Sequence, residues 1–588
     1  MRITLLREIP DDLALRDQWN GLVQRLERPQ VFFTYEWALA VQHAYGQKLH
    51  PLLFLAHDEA QALEGVAALS VDESGHVSFL CATTGDYCDF LSSPETKSEF
   101  VAVVLAELRR QGLREITLTN LPADSSTAPA IYGASRQNGY HAFARTAYHC
   151  AQVVLAHLER KPGETKPLLP RKKMLRRFLN AMGRDNPVRL DHARSWKDIE
   201  PILPQFAQAH VARFLATGRI SNLARPERRV FLNELARLLS DTGSVVLTRM
   251  MSGENAFAWN YGFQYRGTWF WYQPTFDSQL EKYSPGFCLL AKVIEEAADD
   301  RTMQIVDLGL GAEEYKERFA NETRETLYVT LRSSVRRHAR EIVRHSAARV
   351  VKAAPHFEAG VRAGAVRVQD LSQSVRTRGA ASMLGRLSGR LSAAIHSETE
   401  VCFYDWPADS TPELKGLALV PLDINRLASA ASQYCDDKLT LTYLLRSAAR
   451  LKEGRAEGFG LVDDSGSLLH FAWVTEFDGF FLSELNAKVV EPAPDCVMLF
   501  DCWTPVAARG HGYYGRTVSR IAQLMGERGK QPWIFSATAN TSSVRGLEKA
   551  GFRRRYSLIR KRTLGWQRVL GEPPQASKPI VAEVSARV

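Results

Sequence analysis

Arg509-Gly510-His511-Gly512-Tyr513-Tyr514-Gly515 joins an apolar run at 497–504 to a helical pattern at 516–528. Glycines at 510, 512 and 515 let the backbone bend tightly and bring several N–H groups close to one ligand. A helix that starts directly after such a bend adds the positive end of its dipole. The combination holds a pyrophosphate with little side-chain charge, and Arg509 adds an ion pair. About 25 residues further on stands Asn540-Thr541-Ser542-Ser543-Val544-Arg545-Gly546-Leu547-Glu548-Lys549-Ala550-Gly551-Phe552. Asn540 caps a short helix there and Gly551 ends it. The strand before it, 533–537, is expected to splay from 497–504. The gap would admit an extended thiol arm whose amides pair with a strand edge.

Outward from this pair, strands are expected at 457–463, 469–477 and 480–485, with a last one at 556–559. Val518, Ile521, Ala522 and Met525 make the buried stripe of the helix after the glycine loop. The tail from 571 to 588, rich in Pro and Ala, is expected to be disordered.

The two motifs, in this order and between matching strands, resemble the GNAT acyltransferases over roughly the last third of the chain. In that family the RGxG loop holds the coenzyme A pyrophosphate, and the second motif lies beside the pantetheine. The resemblance implies a cofactor site made of Arg509, Gly510, Gly512, Gly515 and Asn540, with Thr504, His511 and Tyr514 around it. The donor would be acetyl-CoA, and no metal is expected. Tyr514 departs from the glycine or alanine usual at its position. Leu547 stands where many members carry a general-acid tyrosine, so Tyr513 or a water would protonate the departing thiolate. The base that takes a proton from the acceptor is expected on a neighbouring strand, at Asp501 or Glu484. Backbone N–H groups near Thr504 would stabilise the oxyanion. His511 reads as a loop residue rather than a base.

The middle of the chain repeats the order of elements: strand 268–275, loop 277–286, helix 287–298, strand 304–308 and helix 313–320. Before it lie strands at 51–56, 65–71, 77–81 and 115–121, a helix at 99–111, a basic helix beginning near Arg171, and strands at 244–250 and 256–264. Tyr283-Ser284-Pro285-Gly286, Asp307-Leu308-Gly309 and Glu314-Tyr315-Lys316, with Phe33, Glu36, Trp37, Asp86, Tyr87 and Asp89, carry a second resemblance. It is to the FemAB-like, or CelD-like, acetyltransferases of bacterial cellulose and exopolysaccharide gene sets. It covers about residues 10–335 and implies two GNAT-like halves packed together. Ser284 and Gly286 precede a helix, where an anion or a bare cap fits equally. Asp307 and Lys316 read either as acceptor-site residues or as a buried ion pair that fixes the fold. Residues 306–311 also fit the DxGxG turn of methyltransferases, but that fold needs further strand–helix units after it.

The chain instead turns basic at that point. Between 331 and 390 the acids are only Glu341, Glu358 and Asp370. Val335, Ala339, Ile342, Val343, Ala347 and Val350 are expected on one helix face, and Arg336, Arg337, Arg340 and Arg344 on another. A solvated linker, an anionic membrane surface and nucleic acid are the three readings; missing aromatics weaken the last two.

The whole chain carries a net charge of +10 over 588 residues, with 45% hydrophobic residues. Its eight cysteines form no CxxC pair and no zinc spacing. No apolar run approaches the ~18 residues of a membrane span. Residues 1–12 carry acids where a signal peptide needs an apolar core. These point to a cytoplasmic protein; the resemblance implies a bacterial one, peripheral to the inner membrane if the basic helix touches it.

The expected fold is α/β (α+β), with tandem GNAT-like mixed sheets flanked by helices. Three units are joined by an Arg-rich helical linker: halves at 1–150 and 151–330, linker 331–395, and GNAT domain 396–570. The expected activity is acyl transfer from coenzyme A to a sugar or amine in exopolysaccharide or envelope synthesis. The alternatives are a FemAB-type transferase using charged tRNA, and a partly degenerate scaffold with one active unit.

Overall fold

The computed structural model describes residues 2–158, 172–311, 313–352, 396–407, 416–563 and 566–571. The expected tail, and the linker beyond residue 352, lie outside them. The chain divides into two compact units, with the change of unit in the linker at Val350 and a short piece, Phe214–Ala224, assigned to the second unit.

In the front unit, apolar and aromatic runs build the strands, and β2, β9 and much of β10 are buried on both faces. In chain order these are β1 (Arg2–Leu6), β2 (His50–His57), β3 (Leu63–Val71), β4 (His76–Phe79), β5 (Leu91–Ser92), β6 (Glu115–Pro122) and β7 (His141–Val154). Then come β8 (Val188–Ala193), β9 (Val245–Ser252), β10 (Asn255–Tyr265), β11 (Thr268–Phe276), β12 (Ile305–Leu310) and β13 (Glu322–Arg332). All belong to one sheet of order β1-β2-β3-β4-β6-β13-β7-β12-β11-β10-β9-β8, with β5 beside β3.

The order is symmetric about its middle. β4 and β6 are parallel neighbours, and so are β11 and β12. Next to β6 lies β13, the last strand of the second half; next to β12 lies β7, the last strand of the first. β7 and β13 pair antiparallel along the length of β13. Each half thus lends the other its final strand. The expected boundary at residue 150 falls inside β7, and the two halves are one continuous sheet. Without the exchange, β6 and β12 would each expose an edge of unpaired backbone groups.

Aromatic side chains join the halves as well. Trp37 of the helix Tyr35–Tyr45 lies 5.5 Å from Phe231 and from Tyr272, and 5.2 Å from Phe263. Phe32 lies 5.3 Å from Phe270. Such edge-on contacts add about 0.5–1.5 kcal/mol each to the burial itself.

Asp307 and Lys316 do not pair, contrary to the ion-pair expectation. Asp307 accepts from Tyr87 Oη at 2.8 Å, Gln152 Nε2 at 2.7 Å and the Gly309 N–H at 2.8 Å. Lys316 donates to the Leu310 carbonyl at 2.7 Å and pairs with Glu313 at 2.8 Å. The two side chains stay apart because each charge finds a nearer partner. Asp86 comes from the other half, and its Oδ2 would stand 2.6 Å from a Cβ at Gly309. Only glycine leaves room for that carboxyl.

The helix Val335–Lys352 is present, and neither its aliphatic nor its arginine stripe is the face that docks on the sheet. Its docked residues are His338, Glu341 and His345, while Val335, Ala339, Ile342 and Val343 face solvent. Glu341 pairs with Arg332 at 3.1 Å and the His345 ring stacks on Phe143 at 5.4 Å. Only Glu341 finds a charged partner on the sheet; the two histidines make ring contacts with β7, and His338 Nδ1 and His345 Nε2 have no hydrogen-bond partner among the described residues. Side chains 347–352 lie outside the described residues.

The back unit contains β14 (His396–Asp405), β15 (Leu417–Pro421), β16 (Glu457–Asp463), β17 (Leu468–Glu476), β18 (Phe481–Leu482), β19 (Ala487–Lys488) and β20 (Cys496–Trp503). β21 (Gln531–Ala537), β22 (Arg553–Thr563) and β23 (Trp566–Leu570) complete it. Its main sheet runs β15-β16-β17-β20-β21-β14-β22-β23, and β18 pairs β19 alone. The strand expected at 480–485 is cut short, because Asn486 at φ 50° folds the chain back on itself. The sequence pattern did not single out β14, β15 or the helices Ile424–Gln433 and Lys438–Glu453.

Burial, and then the Asp307 charge, push the Asp86 carboxyl up to about 7 from an ordinary 3.8. The folded form therefore holds a proton that the unfolded form has lost between those values, and stability falls as pH rises through that window. Asp86→Asn should flatten this dependence. Urea midpoints of the front unit's transition at pH 5 and 7.5 check it; an unchanged slope in the variant would contradict it.

Candidate active site

β20 and β21 run parallel, but they pair only from Cys496↔Gln531 to Leu499↔Ile534. Both strands continue beyond that point. Asp501 sits at φ 47° in the middle of β20, and the β17–β20 register slips between Phe471 and Trp473 on the other side. A bulge of this kind bends its strand away from the neighbour. The gap opens into a cleft of about 1410 Å3. Its walls include Phe500, Cys502 and Trp503 of β20 and Phe535, Ser536 and Ala537 of β21.

The glycine loop forms one end of this cleft. Gly510 at φ 86° and Gly512 at φ 73° both take the left-handed region, and a Cβ on either would point into open space. Gly512 caps the helix Tyr513–Glu527 without any side-chain hydrogen bond. The N–H groups of the first turn are therefore left for an outside acceptor. Arg509, Arg516 and Lys549 line the same end, and none has a carboxylate partner among the described residues. Arg509 is folded back: its guanidinium lies 4.9 Å over Trp503 and its Nε donates to the Thr504 carbonyl at 3.1 Å. Asn540 Oδ1 accepts from the Ser543 N–H at 3.3 Å and so caps the helix Thr541–Lys549.

Tyr514 has an exchange partner. Its ring fills the space over Gly546, where a Cβ would meet ring carbons at 2.7 and 3.0 Å. Its hydroxyl lies 3.0 Å from Ser543 Oγ. Burial pushes the phenol well above its ordinary range. Leu547 is fully buried in the core and offers no hydroxyl.

At the bulge, Asp501 Oδ2 accepts from Arg450 Nη1 at 2.6 Å, and that guanidinium sits 4.8 Å from Phe500 and 5.1 Å from Trp473. Tyr443, Arg446 and Arg450 fall on one face of the helix Lys438–Glu453 and line the cleft. Tyr443 stacks on Trp503 at 3.9 Å. Their inner faces are covered, so Arg446 over Tyr443 and Arg509 over Trp503 take the outer ones. Glu484 also lines the cleft, in the turn after β18, and accepts from Ser483 Oγ at 2.9 Å. His470 is buried beneath the site. Its Nδ1 lies 2.7 Å from Thr504 Oγ1, and its Nε2 has no partner among the described residues. Burial holds the imidazole down to about 3, so it stays neutral.

Of the residues singled out in the sequence, Glu484, Asp501, Thr504, Arg509, Gly510, Gly512, Tyr513, Tyr514, Gly515 and Asn540 meet at this cleft. His511 is exposed, does not line it, and lies with its ring 5.5 Å from Tyr513. Ser284, Gly286, Asp307 and Lys316 belong to the front unit. Ser284 is left-handed at φ 48°, and a Cβ on Gly286 would touch the Phe276 ring at 3.1 Å. Sequence reasoning missed His470, Arg450, Tyr443 and Arg446. The last three have a legible signal, a three- and four-residue spacing on one helix; His470 has none. Among the described residues no cluster of three or more His, Cys, Asp or Glu is placed to hold a metal, and none of the eight cysteines is disulfide-linked.

Residues 170–317 match the family model described as an acetyltransferase (GNAT) domain. The chain therefore carries a GNAT acyltransferase domain, in the second half of the front unit. No curated protein matches the chain in sequence. Among solved structures it is similar to FemX (7% identity, 56% of this chain and 97% of that one, TM-score 0.38). It is also similar to L-PGS from Bacillus licheniformis (10%, 56% and 94%, 0.36). A third is a tandem GNAT protein from the clavulanic acid biosynthesis pathway (10%, 57% and 99%, 0.34).

Gly546→Ala should cost the back unit about 1–3 kcal/mol by overpacking. In a Tyr514→Ala background the same change should cost almost nothing. A double-mutant cycle in urea measures the coupling, and strictly additive costs would show that the ring and the glycine are independent.

Proposed function

We propose that the back unit transfers an acyl group, by preference acetyl, from a coenzyme A thioester to an amine or hydroxyl of its acceptor. The observation that carries this is the open cleft between diverging β20 and β21, closed at one end by a helix start that has no side-chain cap, at a two-glycine bend. The fit rests on the chain itself. The bend leaves room for phosphate oxygens against the backbone, and three cations without a carboxylate partner among the described residues stand beside it.

On this reading the N–H groups of 510–515, with Arg509, Arg516 and Lys549, hold the phosphates. Arg509 leaves Trp503 to do so. The unpaired edges of β20 and β21 take the amides of the pantetheine arm. Backbone N–H groups at the bulge, between Asp501 and Thr504, face the developing oxyanion. Asp501 has one oxygen occupied by Arg450 and one left to take the acceptor's proton; Glu484 lies across the same cleft as the other base. Tyr513 or a water returns a proton to the sulfur. Tyr514 serves packing, since its hydroxyl is engaged with Ser543. His470 positions Thr504.

The acceptor we favour is a sugar or amino group of an exopolysaccharide or envelope precursor. It would approach from the side of Tyr443 and Arg446, whose stack with Trp503 offers a flat face and a cation. The protein would work in the bacterial cytoplasm, against the inner membrane.

Titration calorimetry of acetyl-CoA into the full chain tests the reading. Wild type should bind. Gly512→Asp should bind at least about a hundredfold more weakly, because it sets a carboxylate against the phosphates. Aspartate tolerates the left-handed backbone, so the fold should survive, and circular dichroism checks that. Equal affinity in the two proteins would remove the site from the bend.

A further inference from the structure

We infer that the helix Val335–Lys352 lies with its outward face on an anionic lipid surface. The helix has three faces. His338, Glu341 and His345 hold it to the sheet, through the Arg332–Glu341 pair, the His345–Phe143 stack and a His141–His338 ring contact at 5.6 Å. An ion pair between Arg337 and Glu115 adds to this anchorage. The second face is apolar and exposed: Val335 is 62% exposed, Val343 67% and Ile342 37%. These are three of the twelve large apolar side chains exposed among the described residues, and all three stand within nine positions. The third face carries Arg336, Arg340 and Arg344, exposed, at successive four-residue steps, and without an ion-pair partner among the described residues.

Docking of the polar face therefore turns the apolar stripe and the arginine stripe outward together. A polyanion such as RNA would use the arginines and leave three aliphatic side chains in water. A bilayer rich in anionic headgroups uses both: phosphates take the guanidinium groups, and the aliphatic side chains enter the boundary beneath them. Arginine suits this place, since its fork binds phosphate at two points. Because the docking residues fix the helix on the rigid sheet, the surface is held ready before the membrane is met. The inference gives the membrane contact of the proposed function a defined surface, and its failure would leave the transfer chemistry untouched.

Sedimentation of the full chain with phosphatidylcholine vesicles, with and without about a third phosphatidylglycerol, tests it. Wild type should sediment with the anionic vesicles and not with the neutral ones. The triple variant Arg336→Gln, Arg340→Gln, Arg344→Gln should partition about a hundredfold more weakly, at roughly 1 kcal/mol per arginine. Val335→Ser, Ile342→Ser, Val343→Ser should also lose binding, and keep losing it in high salt, where the arginine part is screened. Acetyl-CoA titration and thermal unfolding of both variants should match wild type. Failure of wild type to sediment with anionic vesicles overturns the inference. So does full retention by either triple variant. Binding of bulk tRNA that needs the arginines but ignores the serine changes, with no vesicle binding, would replace the lipid with RNA.

Discussion

Two parallel strands that pair for three or four residues and then part are the constraint on which this molecule is built. The pattern occurs three times: β4 with β6, β11 with β12, and β20 with β21. Parallel neighbours are joined by a crossover and not by a hairpin, so no turn closes the space beyond their last pair. What fills it differs. In the first half, the chain's own backbone enters: Asn120 donates to the Gly85 carbonyl at 2.9 Å, and the Cys88 N–H reaches the Asn120 carbonyl at 2.9 Å. In the second, Asp86 closes against Gly309, beside Asp307. Between β20 and β21 the wedge stays open, and there the glycine bend stands at its mouth.

This ordering separates two things that a family likeness joins. The recognisable GNAT segment, 170–317, lies where the wedge is occupied by the partner half. The open cleft lies in the back unit. The front unit spends its polar residues on its own seam: Tyr87, Gln152 and Gly309 satisfy Asp307, and Arg324 lies 4.6 Å over the Tyr87 ring while bonding Asp124. A buried carboxylate supplied with three donors is well suited to fixing two halves in register. The strand exchange does the same for the backbone. The back unit has no such seam to maintain. Its polar side chains at the bulge are partly engaged, as in Asp501 with Arg450, and partly turned to the cleft, as in Arg446.

The basic helix shows how tertiary partners decide which face of a helix docks. Periodicity separated its aliphatic stripe from its arginines but did not say which face would meet the sheet. Burying Glu341 would ordinarily be costly, but Arg332 pairs with it; the two histidines are held by ring contacts with Phe143 and His141. Once those contacts are made, the aliphatic and basic stripes have nowhere to go but outward.

Much of the back unit was legible in the sequence, because its signals are local. A glycine that must take positive φ, an asparagine that caps, and a helix stripe at 518, 521, 522 and 525 each act within a turn or two of chain. The cofactor end of the cleft is built from them. Residues 457–463 read as a strand for the same reason. The rest depends on contacts distant in sequence. β14 enters between β21 and β22, and nothing near residue 400 announces that place. Arg450 finds Asp501 across fifty-one positions, and Tyr514 fits Gly546 across a helix pair. The exchange of β7 and β13 joins strands some 180 residues apart. Alternation tells a strand which face is apolar but not which edge it joins. The sequence thus determined the turns, caps and strand identities, and the tertiary structure decided which wedge remained open and which side chains looked into it.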